Sequence, residues 1–367
     1  MAITDWLERN RAQVRLAVRM TVACFATYVL SHAIELDQSQ WAVLTAIIVM
    51  QGSVGGSLKA MLDRLVGSLG GAIVGVAVSV GLHYLGVDAP GAALAIGLPP
   101  LALLGALKPA YRVTPITFII LILTPNLQEL GPIESAYERM LEIAVGSAVA
   151  LAVALTILPA RAHDALAQAV SQALGAMADL IKTLPAGMSG EVDDGAITAG
   201  HARIRAAIAK AETAAEEAIR ERASHLSDDV DPLPVCRTLR RLRHDIAILG
   251  RTMTAPLPAL VEAILSQPIV DVSDTTAQFL ERAALAFADR QPPPSLAELD
   301  AIFLVQSQAV TAIRQQGVAR ALPDDDLARI FGIGFALAQL RRDLGDLAER
   351  GVELSGQSTV PAENSLA

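Results

Sequence analysis

Two clusters of charge interrupt residues that otherwise suit a lipid bilayer. In Trp41–Gly75 (WAVLTAIIVMQGSVGGSLKAMLDRLVGSLGGAIVG), Lys59, Asp63 and Arg64 stand between two apolar runs. Further along, Glu138, Arg139 and Glu142 open another such run. Charges in these places are costly unless water or a counter-charge reaches them, so the arrangement suggests passage for a polar solute. The chemistry on offer is anion recognition. A guanidinium grips a carboxylate through two parallel hydrogen bonds, and an ammonium acts as a compact point charge. The competing reading makes Lys59 and Arg64 anchors that snorkel to cytoplasmic headgroups. Glu138 and Glu142, four apart, share a helix face, with Arg139 one residue round. That trio reads either as an outer gate or proton-linked pair, or as an interfacial cluster facing headgroups. Asp63, Glu138 and Glu142 are the candidate gating or coupling carboxylates.

The elements that hold these residues follow from composition. Of 367 residues, 53% are apolar and 18% charged, more apolar than an ordinary soluble domain. Residues 14–159 hold nearly all the long apolar runs, so the expected fold is all-α with two parts. Residues 1–160 form a transmembrane domain with spans near 14–34, 41–56, 65–85, 91–107, 113–124 and 139–159. Residues 161–350 form a cytoplasmic helical domain, a bundle of five or six amphipathic helices, followed by a disordered tail over 351–367. Several spans fall short of the ~20 residues a perpendicular crossing needs. Basic residues fall at alternate ends of the spans: Arg9–Arg19, Lys59 and Arg64, Lys108 and Arg112, then Arg161. This predicts both termini in the cytoplasm of a bacterial inner membrane, with Lys108 and Arg112 as topology anchors. Arg139 alone falls on the outer side.

That exception points to an internal repeat. Asp63-Arg64 opens the third span and Glu138-Arg139 the sixth, an offset of 75 residues at which Gly71 also falls on Gly146. Three spans per copy is an odd number, so the second copy enters inverted, giving a 3+3 inverted repeat. The middle spans correspond and both are interrupted, one at Gly52–Ser57, the other bracketed by Thr114-Pro115 and Thr124-Pro125-Asn126. Paired short, broken segments are a pointer to a solute site, because freed backbone groups need water or ligand. Gly67, Gly71 and Gly75 form a stripe on the third span, and with Gly146 they read as helix-packing positions. Trp41 and Tyr28 fit interfacial positions as well as a site, and His32 and His83 fall near outer ends.

Other classes are disfavoured. The formal net charge of −9 leaves no broad basic surface for nucleic acid. There is no HExxH, no phosphate-binding glycine loop and no nucleophile–His–acid set, so neither an enzyme nor ATP-driven transport by this chain is expected. No cofactor or metal is expected. Cys24 and Cys236 fall in different parts of the chain, so no disulfide is expected, and no cleavable signal peptide is apparent. In the second half, Arg237, Arg240, Arg241, Arg243 and His244 read as a solvated basic face, or as a surface for anionic lipid or solute.

Over roughly 14–160 the chain resembles the fusaric acid resistance and aromatic acid exporter superfamily, to which the plant aluminium-activated malate transporters are more distantly similar. The resemblance rests on Trp41, Thr45, Gln51, Val54-Gly55-Gly56-Ser57, Lys59, Arg64, Gly67-Ser68 and Gly71, and on Tyr111, Phe118, Thr124 and Asn126. It implies a transporter or channel for organic anions, embedded in lipid and homodimeric, with a basic path. The expected path residues are then Lys59, Arg64, Gln51, Thr45 and Asn126, with Arg139 added by the repeat. Gln51 departs from the pattern, since relatives frequently carry an acid there, which removes a proton-coupling carboxylate. The function expected is export of small aromatic-carboxylate-like anions. The alternatives are a passive organic or inorganic anion channel, or a membrane-anchored scaffold or regulator without transport.

Overall fold

The computed structural model describes residues 6, 10–36, 38–87, 89–123, 131–190, 193–227, 229–253, 255–315 and 322–356. Among the described residues the protein is all-helical, and its chain divides into two compact units, Met1–Arg161 and Ala162–Ala367.

The first unit contains α1 (Arg11–Ala33), α2 (Ser39–Val49), α3 (Val54–Tyr84), α4 (Pro90–Leu107), a 3-10 turn (Pro109–Tyr111), α5 (Thr114–Leu123) and α6 (Pro132–Thr156). Four candidate membrane spans are long and apolar enough to cross a bilayer: Gln13–Ala33 within α1, and α3, α4 and α6. At 1.5 Å per residue, α2 and α5 reach only about half of a ~30 Å hydrocarbon layer. Large apolar side chains such as Phe25, Val29, Ile73 and Leu103 point outward. Lipid is the solvent that makes such a surface stable.

Inside this unit small residues let backbones touch. A Cβ at Gly71 would collide with the Thr114 carbonyl oxygen and lie 3.0 Å from Thr117 Cβ. A Cβ at Gly146 would collide with the Ala42 carbonyl oxygen and lie 3.0 Å from Thr45 Cβ. The α3–α5 and α2–α6 crossings are therefore built alike. The wider packing follows the same pairing, with α1 on α2 as α4 on α5, α1 on α6 as α4 on α3, and α3 directly against α6.

One boundary differs from the sequence expectation of a second span over 41–56 and a third starting at 65. The Ser53 side chain accepts from the Gly56 N–H and caps a helix that already begins at Val54. An N-cap of this kind satisfies one of the helix's orphan donors. The break is thus only Met50–Ser53, and Lys59, Asp63 and Arg64 lie on α3 itself. Gly55, Gly56 and Ser57 are buried, where small side chains favour close packing despite glycine's low helix propensity. The second bracketing break, Thr124–Asn126, lies outside the described residues.

The second unit contains α7 (Ala162–Thr183), a 3-10 turn (Leu184–Ser189), α8 (Asp194–Ala223), α9 (Leu233–Thr252), α10 (Ala259–Ala288), α11 (Ala297–Gln315) and α12 (Asp324–Leu354). Its core joins Leu174 and Met177 of α7, Ile204 of α8, Leu239 and Ile246 of α9, Phe279 of α10 and Leu337 of α12. The first residues of the tail expected over 351–367 are helical, because α12 continues to Leu354. Gly351 is buried, and a Cβ there would lie 2.8 Å from the Pro293 ring. Residues 357–367 lie outside the described residues. Cys24 and Cys236 are both free, and burial pushes the Cys236 thiol up to about 11, which keeps it protonated.

At the α9–α12 contact two buried carboxyl groups meet. Burial, then hydrogen bonding and charge from Asp343, raise Asp245 to about 7. Arg241 Nε donates to Asp343 Oδ1 at 2.9 Å, and Arg241 also pairs with Asp346. An unfolded Asp titrates near ~3.9, so the native state holds the extra proton between that value and about 7. The resulting stabilisation is complete below the unfolded value and is lost as pH rises through the folded one. Asp245→Asn, which keeps the neutral form at every pH, is expected to slow amide exchange in α9 and α12 at pH 8. Hydrogen-exchange mass spectrometry of the full chain reads this directly, and equal exchange at pH 8 would remove Asp245 as the cause.

Candidate functional site

Arg64 sits ten residues into α3, about 15 Å from its start by helical rise. Arg139 sits two turns into α6. Both are 5% exposed, and Glu142 beside them is 4% exposed. Arg139 Nη1 donates to Glu142 Oε2 at 2.9 Å across one helical turn. The same guanidinium lies over the Trp41 ring, 4.0 Å from its centroid, an added cation–π contact. Trp41 is itself oriented by donating Nε1–H to Gln38 Oε1 at 3.0 Å. Arg64 stands on α3, which packs directly against α6, and it has no ion pair with a carboxylate among the described residues. Arg139 is thus paired with Glu142, while Arg64 is buried without an ion pair among the described residues.

Polar atoms around the cluster are left open as well. Arg64 Nε, Arg139 Nε, Thr45 Oγ1, Thr114 Oγ1 and Ser147 Oγ are buried without a hydrogen-bonding group from the described residues. Thr117 Oγ1 donates to Ser68 Oγ at 3.1 Å where α5 crosses α3. Buried polar groups in native proteins are nearly always satisfied by protein, water or ligand. Thr114 and Thr117 meet Gly71, and Thr45 meets Gly146, so each glycine crossing carries buried hydroxyls within an apolar unit. A desolvated ion pair with an uncompensated extra cation is unfavourable, and an entering anion relieves it.

The other expected path residues are arranged differently. Lys59 is exposed on the outside of the unit and forms a 3.7 Å pair with Asp63. Glu138 is half-buried. The Gln51 amide turns back to donate to the Ile48 carbonyl at 2.9 Å, while its backbone N–H donates to Ser57 Oγ. Thr45 sits one helical turn beyond Trp41, against Gly146. Gly67 approaches Val113 and Gly75 approaches Leu121, so both are packing positions. Asn126 lies outside the described residues.

Sequence reasoning missed Arg19. It is fully buried in α1, and its Nη1 donates to the Gly52 carbonyl at 3.4 Å. Gly52 follows the C-terminus of α2, where carbonyls lack partners and a cation is favoured. Arg19 is thus a side-chain prop for the broken helix. The available signal was its position one turn beyond Arg15, already inside the apolar run from Val14.

Comparison with known proteins agrees with the membrane half of this picture. Residues 22–153 match the family model described as Fusaric acid resistance protein-like, and residues 106–219 match that of the Aluminium activated malate transporter. The chain is 37% identical over 68 residues to proteins called "Uncharacterized transporter YdhK" from Escherichia coli strain K12 and from Escherichia coli O157:H7. It is 35% identical over 69 residues to the protein of that name from Salmonella typhimurium strain LT2. The chain spans about 10% of the length of these curated relatives. The resemblance of the membrane half to the fusaric acid resistance superfamily, with the malate transporters as relatives, stands on these matches. The chain is a multi-pass membrane protein similar to transporter families.

Removing Glu142 takes the carboxylate partner from the buried Arg139. Glu142→Gln is expected to lower the stability of the detergent-purified protein by about 3 kcal/mol or more. Arg139→Gln/Glu142→Gln is expected to cost less than the two single changes added together. A thermal-unfolding double-mutant cycle checks this, and additive single effects would mean that the pair does not interact.

Proposed function

We propose that this protein exports small aromatic-carboxylate-like anions through the seam that holds Arg64 and Arg139. The single observation that carries the reading is the surplus positive charge buried at repeat-related positions of α3 and α6. A carboxylate entering there meets two guanidinium groups and one fixed carboxylate. The Trp41 ring, stacked on Arg139, adds an aromatic surface suited to an arene.

The architecture proposed with it is a 3+3 inverted repeat of α1–α3 and α4–α6. Its support is the matched pairing of crossings, Gly71 on Thr114 and Thr117 against Gly146 on Ala42 and Thr45. The short α2 and α5 then occupy equivalent places, ending near the seam from opposite sides. Positive-inside placement supports an inner-membrane location with both termini and the Ala162–Ala367 unit in the cytoplasm. A homodimer in lipid follows from the family resemblance.

Energetically the task is modest. An inside-negative potential favours outward movement of an anion by about 2.3 kcal/mol per charge per 100 mV. Gln51, with its amide spent on Ile48, offers no proton-coupling carboxylate at a position where relatives often have one. That observation favours a passive anion channel as the second reading, with Glu142 as the coupling group if export is proton-driven.

The test is efflux of benzoate from proteoliposomes carrying wild-type protein, Arg64→Gln or Arg139→Gln. Each variant is expected to lose about tenfold or more of the flux at equal, folded protein content. Unchanged flux in both folded variants would leave the membrane unit as a tether for a scaffold and sink the permeation reading.

A further inference from the structure

The basic run on α9 borders two grooves, with His244 lining both, and the groove toward α12 contains Asp245 and Asp343. Toward α12, Arg241 is paired with Asp343 and Asp346, while Arg240 pairs with Glu212 of α8. Arg243 and His244 instead meet His201 and Arg205 of α8 in an open groove whose walls also include Thr198 and Ala247. His201 and Arg205 are four apart and so share one face of α8. Among the described residues no carboxylate lines this groove, and no ion pair engages Arg205 or Arg243.

We propose that this groove is a binding site for a compact phosphate-type dianion, held between Arg205 and Arg243 with the two histidines and the Thr198 hydroxyl as further donors. Four groups able to carry positive charge converge where no carboxylate among the described residues lines the groove, although acids pair with other arginines of the same unit, Arg203 with Asp179 and Arg282 with Glu298. Clustered like charges repel, so an anion seated among them removes a cost as well as adding charge-assisted hydrogen bonds. Two guanidinium groups suit the tetrahedral oxygens of phosphate, and the groove is open enough for a ligand to enter from solvent. Burial and the charges of Arg205 and Arg243 push His201 below its ordinary value. A bound dianion opposes that push, so binding takes up a proton and tightens as pH falls. The site lies in the Ala162–Ala367 unit and does not depend on the transport reading.

A soluble phosphate monoester and a phosphatidic acid headgroup present the same dianion, and the experiment separates them. Full-length protein in detergent is titrated calorimetrically with inorganic phosphate. Saturable binding is expected, weakened about tenfold or more in Arg205→Gln/Arg243→Gln. Thr198→Glu, at an exposed position, places a carboxylate in the groove and is expected to abolish binding without relying on the double variant's folding. Sulfate, a dianion across the range, should bind more tightly at pH 6 than at pH 7.5 in wild type, with the difference reduced in His201→Gln. Protein in phosphatidylcholine nanodiscs is then compared with protein in the same nanodiscs containing phosphatidic acid. Loss of phosphate binding in the latter upholds the site with a lipid as its source, and retained binding upholds it with a soluble one. No saturable binding in wild type, or equal affinity in wild type and the folded Thr198→Glu variant, overturns the proposal.

Discussion

A guanidinium carried into a bilayer-spanning unit must find a counter-charge or water, and that requirement governs the membrane half. Arg139 is provided for by Glu142 at 2.9 Å and by the Trp41 face at 4.0 Å. Among the described residues Arg64 has no such carboxylate partner, since Glu142 pairs with Arg139. The two arginines come from α3 and α6, which pack directly against each other. Such a charge is tolerable only if the region is wet or visited by an anion. Trp41, Glu142 and the open hydroxyls of Thr45, Thr114 and Ser147 acquire meaning from that surplus.

Backbone proximity makes the cluster possible. Gly71 and Gly146 have no room for a side chain, so α5 and α2 lie directly on α3 and α6. Had either crossing carried a larger residue, the helices would separate and the seam would widen beyond the reach of its side chains. The brevity of α2 and α5 is part of the same design. A helix that ends inside the membrane unit leaves carbonyls to be satisfied. Just past the end of α2, Arg19 donates to the Gly52 carbonyl, while the Ser57 and Ser53 hydroxyls accept from the Gln51 and Gly56 N–H groups. The cation in α1 thus supports the backbone, whereas those in α3 and α6 face the seam.

Much of this was legible because charge inside apolar sequence is conspicuous. Arg64 and Arg139 could be paired by their offset, and Gly71 with Gly146 by the same count. The short α2 announced itself through Gly52, and α5 through Pro115. What failed to show was direction and partnership. Lys59 and Arg64 stand together in sequence, yet five residues of helix turn one outward and the other inward. Arg19 was concealed by its likeness to the anchoring arginines before it. The helix start at Ser53 was hidden by glycines that suggest a longer break. The meeting of Asp245 with Asp343 depends on the packing of distant helices, which no local spacing encodes.

The second unit handles charge by the opposite means. Its exposed arginines are mostly matched to carboxylates, as with Arg203 and Asp179, Arg282 and Glu298, or Arg350 and Glu353. Surface pairs of this kind add little stability, and they leave the helices soluble without a strong field of either sign. Against that background an unmatched cation is informative in a way it would not be on a generally basic protein. The same reasoning applies in the bilayer, where carboxylates are scarce because each is expensive to desolvate. In one unit surplus charge stands out because neutralisation is the rule, and in the other because charge itself is the exception. The residues worth probing are therefore those whose charge the fold leaves uncancelled, in either solvent.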